Sequence, residues 1–166
     1  MKRFNYLLGM VAILVLAVAC NSVSYKKAKS GLLYKIYPGG GKDSLLKEGN
    51  IVKFQVVAKL NDSVLYSSYG KLPAYAQLNT SPNSAYSILE ILPLMRKGDS
   101  AITVQLFDTL QKKGAQLPPS AKKGDRIITS INIIEVFKVD SLAMADYNKE
   151  MEKDKPRQMK EQEEQM

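Results

Sequence analysis

Three features of this chain have residue types suited to chemistry: a lone cysteine, a few carboxylates, and a glycine run ahead of a lysine. Cys20 is the only cysteine, and the 166 residues contain no histidine. Those two facts exclude Ser-His-Asp and Cys-His catalysis, disulfides, and zinc sites built from His and Cys. Carboxylates can do acid-base work without histidine, and Asp99, Asp108, Asp125 and Glu135 are available. Each lies beside a turn or on an alternating strand face, where solvated surface charge is the default reading. The run Pro38-Gly39-Gly40-Gly41-Lys42-Asp43-Ser44 suggests a phosphate loop, but Ile36 and Asp43 stand where that motif needs Gly and Ser or Thr. It reads as a glycine turn between strands. No metal and no cofactor is expected.

Cys20 has a different chemistry. Ahead of it stand Lys2 and Arg3, an apolar run from Tyr6 to Val18, and the small-residue exit Ala17-Val18-Ala19. That is the layout of a secretory signal. Its apolar stretch is shorter than the roughly 18–20 residues of a spanning helix, and no later segment is longer. The ending resembles a bacterial lipobox, with Ala17 in place of the usual leucine. Cys20 is therefore expected to carry a lipid and to become the first residue of a chain held on a membrane facing the periplasm. Asn21 rather than Asp after the cysteine favours the outer membrane. Removing residues 1–19 from the 166 leaves 147, enough for one domain and a tail.

The formal charge of +8 falls to +6 when Lys2 and Arg3 leave with the signal. The lysines are scattered over turns and strand faces, as Lys26, Lys53, Lys59, Lys97 and Lys123 illustrate. An exported protein has no nucleic-acid partner in view, so the choices are plain solubility or contact with anionic lipid or acidic polymer.

Residues 20–29 read as a lipidated tether, 30–139 as the folded unit and 140–166 as a charged, partly helical tail. Strands are expected at 32–37, 51–60, 64–66, 101–107 and 127–137. In 51–60, Val52, Phe54, Val56, Ala58 and Leu60 alternate with a wetter set including Lys53, Gln55 and Lys59. Ile88, Leu92 and Met95 share one face of a helix over 85–96, which Gly98 stops and Pro93 kinks. The tail is expected to be helical to Pro156, then to fray, and to float in solvent on its weak apolar stripe. The fold class is α+β: a mostly antiparallel, twisted sheet wrapped around one short helix, plus the charged C-terminal helix.

The order of features over residues 30–138 resembles the FKBP-type peptidyl-prolyl cis-trans isomerase family. Ser30-Gly31-Leu32-Leu33-Tyr34-Lys35-Ile36 is similar to its opening strand, and Gly39 to Gly41 with Glu48-Gly49-Asn50-Ile51-Val52 to its glycine turn and second strand. Leu60 to Ser68 resembles the segment ending Phe-Asp-Ser-Ser, and Leu94 to Ala101 the helix exit. Leu117-Pro118-Pro119 followed by Ile127 to Ile134 resembles the proline pair and closing strand.

The resemblance implies an apolar pocket for proline-containing exported polypeptides. X-Pro isomerisation faces a barrier of about 18–20 kcal/mol, and a dry site that favours the twisted amide lowers it without a nucleophile. The residues it places there are Val56, Tyr66, Ser67, Tyr75, Ile88, Phe107 and Thr129. Several depart from the family pattern: Ser67 replaces the aspartate, Val56 the strand tyrosine, Ile88 the tryptophan and Thr129 a phenylalanine. The later Ala-Tyr-Gly loop reads Leu106-Phe107-Asp108-Thr109-Leu110. Three readings follow: a weak isomerase with a degenerate active site, a non-catalytic peptide-binding or chaperone-like lipoprotein, and a structural lipoprotein with a filled cleft.

Overall fold

The computed structural model describes residues 24–79 and 85–164, so the signal and Cys20 lie outside the described residues. The strands are β1 (Lys26–Lys27), β2 (Leu33–Tyr37), β3 (Ile51–Leu60), β4 (Ser63–Ser67), β5 (Ala74–Gln77), β6 (Ser100–Leu106) and β7 (Arg126–Phe137). They form one antiparallel sheet in the order β1-β2-β6-β7-β3-β4. β7 pairs with β3 along its whole length, while β4 and β5 share β3's other side. Two helices follow strands, α1 (Phe107–Lys112) and α2 (Asp140–Glu164). The strands expected at 32–37, 51–60, 64–66, 101–107 and 127–137 are all present within a residue or so. β1, β5 and α1 were not anticipated, the first two being too short to show a period.

The inner face of the sheet holds the core. Val52 and Phe54 from β3, Ile131 and Ile133 from β7 and Ala101 from β6 meet Ile91, Leu92 and Met95 from the segment between β5 and β6. A bulge supports this: Lys53 pairs with Glu135 but Phe54 pairs with Ile133, leaving Ile134 extra, so Val136 and Ile133 both turn inward.

The expected helix over 85–96 is instead two short 3-10 turns, Ile88–Glu90 and Leu92–Leu94. Tyr86 explains its late start: it sits at φ +62°, in the left-handed region, and Ser87 is extended and caps the first turn by accepting from the Leu89 N–H. Pro93 explains the break, because it lacks an N–H and opens the second turn. Tyr86 is held in its strained position by its own bonds. Its hydroxyl accepts from the Leu106 N–H at 2.9 Å and its carbonyl from the Gln105 side chain at 2.6 Å.

The glycine turn proves structural. A Cβ on Gly39 would lie 2.0 Å from the Gly98 carbonyl oxygen, so only glycine permits this backbone approach. The buried Asp99 carboxylate accepts from the Gly39 and Arg96 N–H groups, both at 2.8 Å. One of the four candidate acid-base groups is thereby committed to joining two turns.

The tail corrects two expectations. α2 runs through Pro156 to Glu164, spanned there by ion pairs from Arg157 to Asp154 and Glu161. Nor does it float. Ala143, Asp146, Tyr147, Glu150 and Asp154 recur every three or four residues on one face, and that face lies on the outer side of the sheet. The Lys53 ammonium is 2.7 Å from Asp146 and 3.3 Å from Glu150, so the polar side of β3's alternation is buried here by charge pairing. The Leu72 N–H donates to Asp154, tying the loop before β5 to the same helix.

Burial opposes ionisation of both Lys53 and Asp146, but their hydrogen bonds outweigh it. Lys53 is raised above 10.5, and Asp146, which also accepts from Tyr75, is held below 3.8. In Glu150 the hydrogen bond from Lys153 leads, and with Lys53 it keeps that carboxyl below 4.5. Lowered carboxylates give stability that is complete above their unfolded values and lost as pH falls through the folded ones. The raised lysine gives stability that is complete below 10.5 and lost as pH rises through its folded value. Lys53→Met is expected to lower the unfolding free energy at neutral pH by about 2 kcal/mol, less than for a fully buried pair because both carboxylates keep some water. Urea titrations of the two proteins should also show a shallower loss of stability below pH 4 in the variant. A floating helix would leave stability unchanged.

Candidate functional site

The candidate site is the part of the inner face beside β4. Register fixes which side chains share it, because residues directly paired across an antiparallel sheet point the same way. Tyr66 pairs with Ala58, Ala58 with Thr129, Thr129 with Thr103 and Thr103 with Tyr34. The next row along the strands is Val56, Ile131, Ala101 and Ile36. Val56, Tyr34 and Ile36 pack on the core, as does Ile88 from the first 3-10 turn. Val56, Tyr66, Ile88 and Thr129 are thus all on the concave side. Tyr66 stands at its rim with half its surface open, and Phe107 begins α1, whose Leu110 enters the core.

Two expected residues lie elsewhere. Ser67 pairs with Val57, one position out of phase, so it faces the convex side, and its hydroxyl accepts from the Tyr69 N–H at 3.2 Å. Tyr75 pairs with Lys53, also on the convex side, while its neighbours Ala74 and Ala76 pack on the core. Its hydroxyl donates to Asp146 at 2.6 Å, and its ring meets Phe137 at 6.5 Å and Tyr147 edge-on at 5.4 Å. Burial first, then that carboxylate, push the Tyr75 hydroxyl well above its usual pKa. An apolar cavity of about 340 Å³, lined by Ile51, Tyr75, Gln77, Met144 and Tyr147, lies under α2 rather than in the concave face. Counting alternation within β5 would have separated Tyr75 from Val56, but four residues give no visible period.

Two residues were missed. Ser68 is fully buried: its hydroxyl accepts from the Val56 N–H at 2.8 Å and donates to the Gln55 side chain, and its own N–H bonds the Val56 carbonyl at 2.9 Å. It fixes the end of β4 against the strand carrying Val56. Thr103 is also fully buried, and among the described residues its hydroxyl has no hydrogen-bond partner. The floor of the concave face is therefore made of a methyl and two threonines. Such a surface supplies contact area but little aromatic wall.

No protein-family profile matches the chain, and no curated protein matches it. Solved structures do. FkpA from Escherichia coli aligns with a TM-score of 0.53 at 18% identity over 70% of this chain and 53% of that one, so the chain spans about half its length. The N-terminal domain of FKBP42 from Arabidopsis thaliana gives 0.54 at 12% identity over 70% and 94%. A peptidyl-prolyl cis-trans isomerase from Pseudomonas syringae gives 0.50 at 19% identity over 72% and 86%. The chain has an FKBP-like fold. At these identities the likeness extends to the path of the backbone, and the side chains of the concave face must be judged on their own chemistry.

Thr103 allows a direct check of that floor. An unpartnered buried hydroxyl costs roughly 1–3 kcal/mol of desolvation, which an isosteric methyl avoids. Thr103→Val is expected to raise the unfolding free energy by about 1 kcal/mol in denaturant titration. A loss of that size would mean the hydroxyl is bonded.

Proposed function

We propose that this chain is an exported, lipid-anchored folding helper with an FKBP-like domain, binding proline-containing segments of other exported polypeptides in its concave face and isomerising them weakly. The observation that carries the reading is the half-open Tyr66 ring at the rim of a half-buried, uncharged row of Ala58 and Thr129. An aromatic ring beside an apolar floor suits a prolyl ring, whose binding needs contact area and little else. Catalysis needs more, since only interactions stronger for the twisted amide than for the planar forms add rate. With threonines on the floor and Ser67 turned to the other face, few such interactions are available. A fold that retains binding and has lost most of the rate is the outcome these residues support.

One observation favours a second reading, in which the domain only binds. Neither side chain at the end of β4 that could polarise a bound peptide points inward: Ser67 is engaged with Tyr69, and Ser68 is consumed by Gln55 and Val56. The two readings separate in one experiment. The chain from Asn21 onward, which keeps every described element, is added to a refolding reaction limited by prolyl isomerisation. Weak catalysis shortens the slow phase in proportion to the protein added. Suppressed aggregation with an unchanged slow phase would leave binding alone.

The location of the site is tested by two neighbouring substitutions. Tyr66→Ala is expected to weaken binding of a proline-containing peptide by about tenfold, roughly the loss of one well-packed aromatic contact, while Ser67→Ala changes it less than about twofold. Fluorescence titration with a labelled peptide reads both, and equal effects would place the peptide on another face.

Anchoring rests on Cys20 and the residues before it. Mass spectrometry of the mature N-terminus is expected to find a lipid-modified Cys20, and Cys20→Ala to shift the protein out of the membrane fraction. A wild-type chain beginning with unmodified cysteine would remove the anchor.

A further inference from the structure

α2 covers the convex face of the sheet beside Lys53 and Tyr75. Over β2, β6 and β7 the same face carries a separate hollow. Tyr37 pairs with Ser100 and Ser100 with Asn132, while Ile102 pairs with Ser130 two residues along. Their neighbours Ile36, Ala101 and Ile131 pack on the core, so this set points the opposite way. Together with Tyr69, from the turn after β4, these residues line a hollow of about 300 Å³ that no residue of α2 enters. That volume lies at the lower end of the roughly 300–1,000 Å³ found for small-molecule sites.

Two of its walls are aromatic rings open to solvent, Tyr69 at 57% exposure and Tyr37 at 38%. The turn that carries Tyr69 is built to present it. Ser67 accepts the Tyr69 N–H at 3.2 Å, the Lys71 N–H closes on the Ser68 carbonyl at 3.0 Å, and Gly70 takes a left-handed φ of +73° between them. Ser68 is fully buried and anchors that turn to the sheet. Tyr37 ends β2 with the Lys35 ammonium 4.9 Å from its ring centroid, and Lys35 itself stays out of the hollow. The floor holds Ser100, Ser130 and Asn132 around Ile102, and from β2 to β7 it spans roughly 10 Å. Among the described residues, no hydrogen bond engages the two serine hydroxyls or the asparagine amide. No charged residue among those described lines the hollow.

We propose that this hollow binds a neutral oligosaccharide of pyranose rings. The lining selects that chemistry in three ways. A pyranose presents C–H groups on its faces, and these suit the two tyrosine rings, which lose exposed apolar surface when covered. Its rim carries hydroxyls that both donate and accept, and Ser100, Ser130 and Asn132 offer both in return. A charged ligand is disfavoured, because it would give up water to a lining that returns no opposite charge. A folded protein partner is disfavoured by size and composition. A stable interface takes about 800 Å² from each partner around an apolar core, whereas the centre here is two serines and an asparagine. The hollow lies on the face opposite Tyr66, so the proposal goes beyond the peptide-binding reading and does not depend on it.

The test titrates the isotope-labelled chain from Asn21 onward with cellotetraose, maltotetraose and tetra-N-acetylchitotetraose, followed by amide NMR. At least one sugar is expected to bind, with shifts concentrated on Ser100, Ser130 and Asn132. Tyr69→Ala and Tyr37→Ala are each expected to weaken that binding by at least about tenfold. Tyr69→Phe keeps the ring and should stay within about threefold of wild type. Leu142→Ala, which trims an equally exposed apolar residue on α2, should change it less than about twofold. Polygalacturonate, an acidic polymer that scattered lysines would hold through charge, is expected not to displace the sugar. Absence of binding to all three sugars at millimolar concentration would overturn the proposal, as would shifts on the concave row of Tyr34, Ala58 and Thr129, or displacement by polygalacturonate. A proline-containing peptide should bind the Tyr37 and Tyr69 variants within about twofold of wild type, and a matching loss would make the hollow a peptide site instead. Failure with sugars therefore leaves the concave site standing, and failure of peptide binding leaves the sugar result standing.

Discussion

The Lys53 ammonium is the charge around which this molecule is arranged. It sits on β3, at a point where both faces of the sheet are covered, and folding has removed most of its water. That is tolerable only because Asp146 and Glu150 meet it, since a buried cation without a partner costs several kcal/mol. The carboxylates come from α2, so the helix cannot leave the sheet without exposing or stranding the charge. Tyr75 donates to the same Asp146, which fixes the edge strand β5 to the helix as well. A segment whose composition is that of a solvated tail thereby becomes part of the domain.

The consequence for the concave side is indirect but definite. α2 covers the outer face beside Lys53, and β3 serves both sides, Lys53 outward and Val56 inward. Ser68 locks the end of β4 to Val56, which holds Tyr66 at the rim. What is missing between them is aromatic area. A floor of Ala58, Thr129 and Thr103 can line a site for a ring the size of proline, yet offers little that distinguishes a twisted amide from a planar one. Binding with little catalysis is what we propose from that asymmetry.

The strands were legible because alternation over five to twelve residues survives without knowledge of partners. The FKBP-like order of blocks was legible too, and the backbone path agrees with it. What failed did so for identifiable reasons. Ile88, Leu92 and Met95 have helical spacing, but the left-handed Tyr86 and the imino nitrogen of Pro93 divide their segment into two 3-10 turns. Tyr75 was placed with the pocket because aromatics suit pockets, while its face is decided by pairing with Lys53. Thr103, whose hydroxyl lies on the concave floor, gave no signal at all, because one threonine in a strand resembles any other.

The sequence alone determined the strand set, the absence of histidine and of any second thiol, and hence that Ser-His-Asp and Cys-His catalysis and His/Cys zinc sites have no residues to act through. Those conclusions need only residue identity and local period. The tertiary structure alone decided which side of each strand a residue faces and that the charged tail docks. Each of these depends on register and on which ends of antiparallel strands coincide, and register is set by long-range pairing that no local pattern encodes.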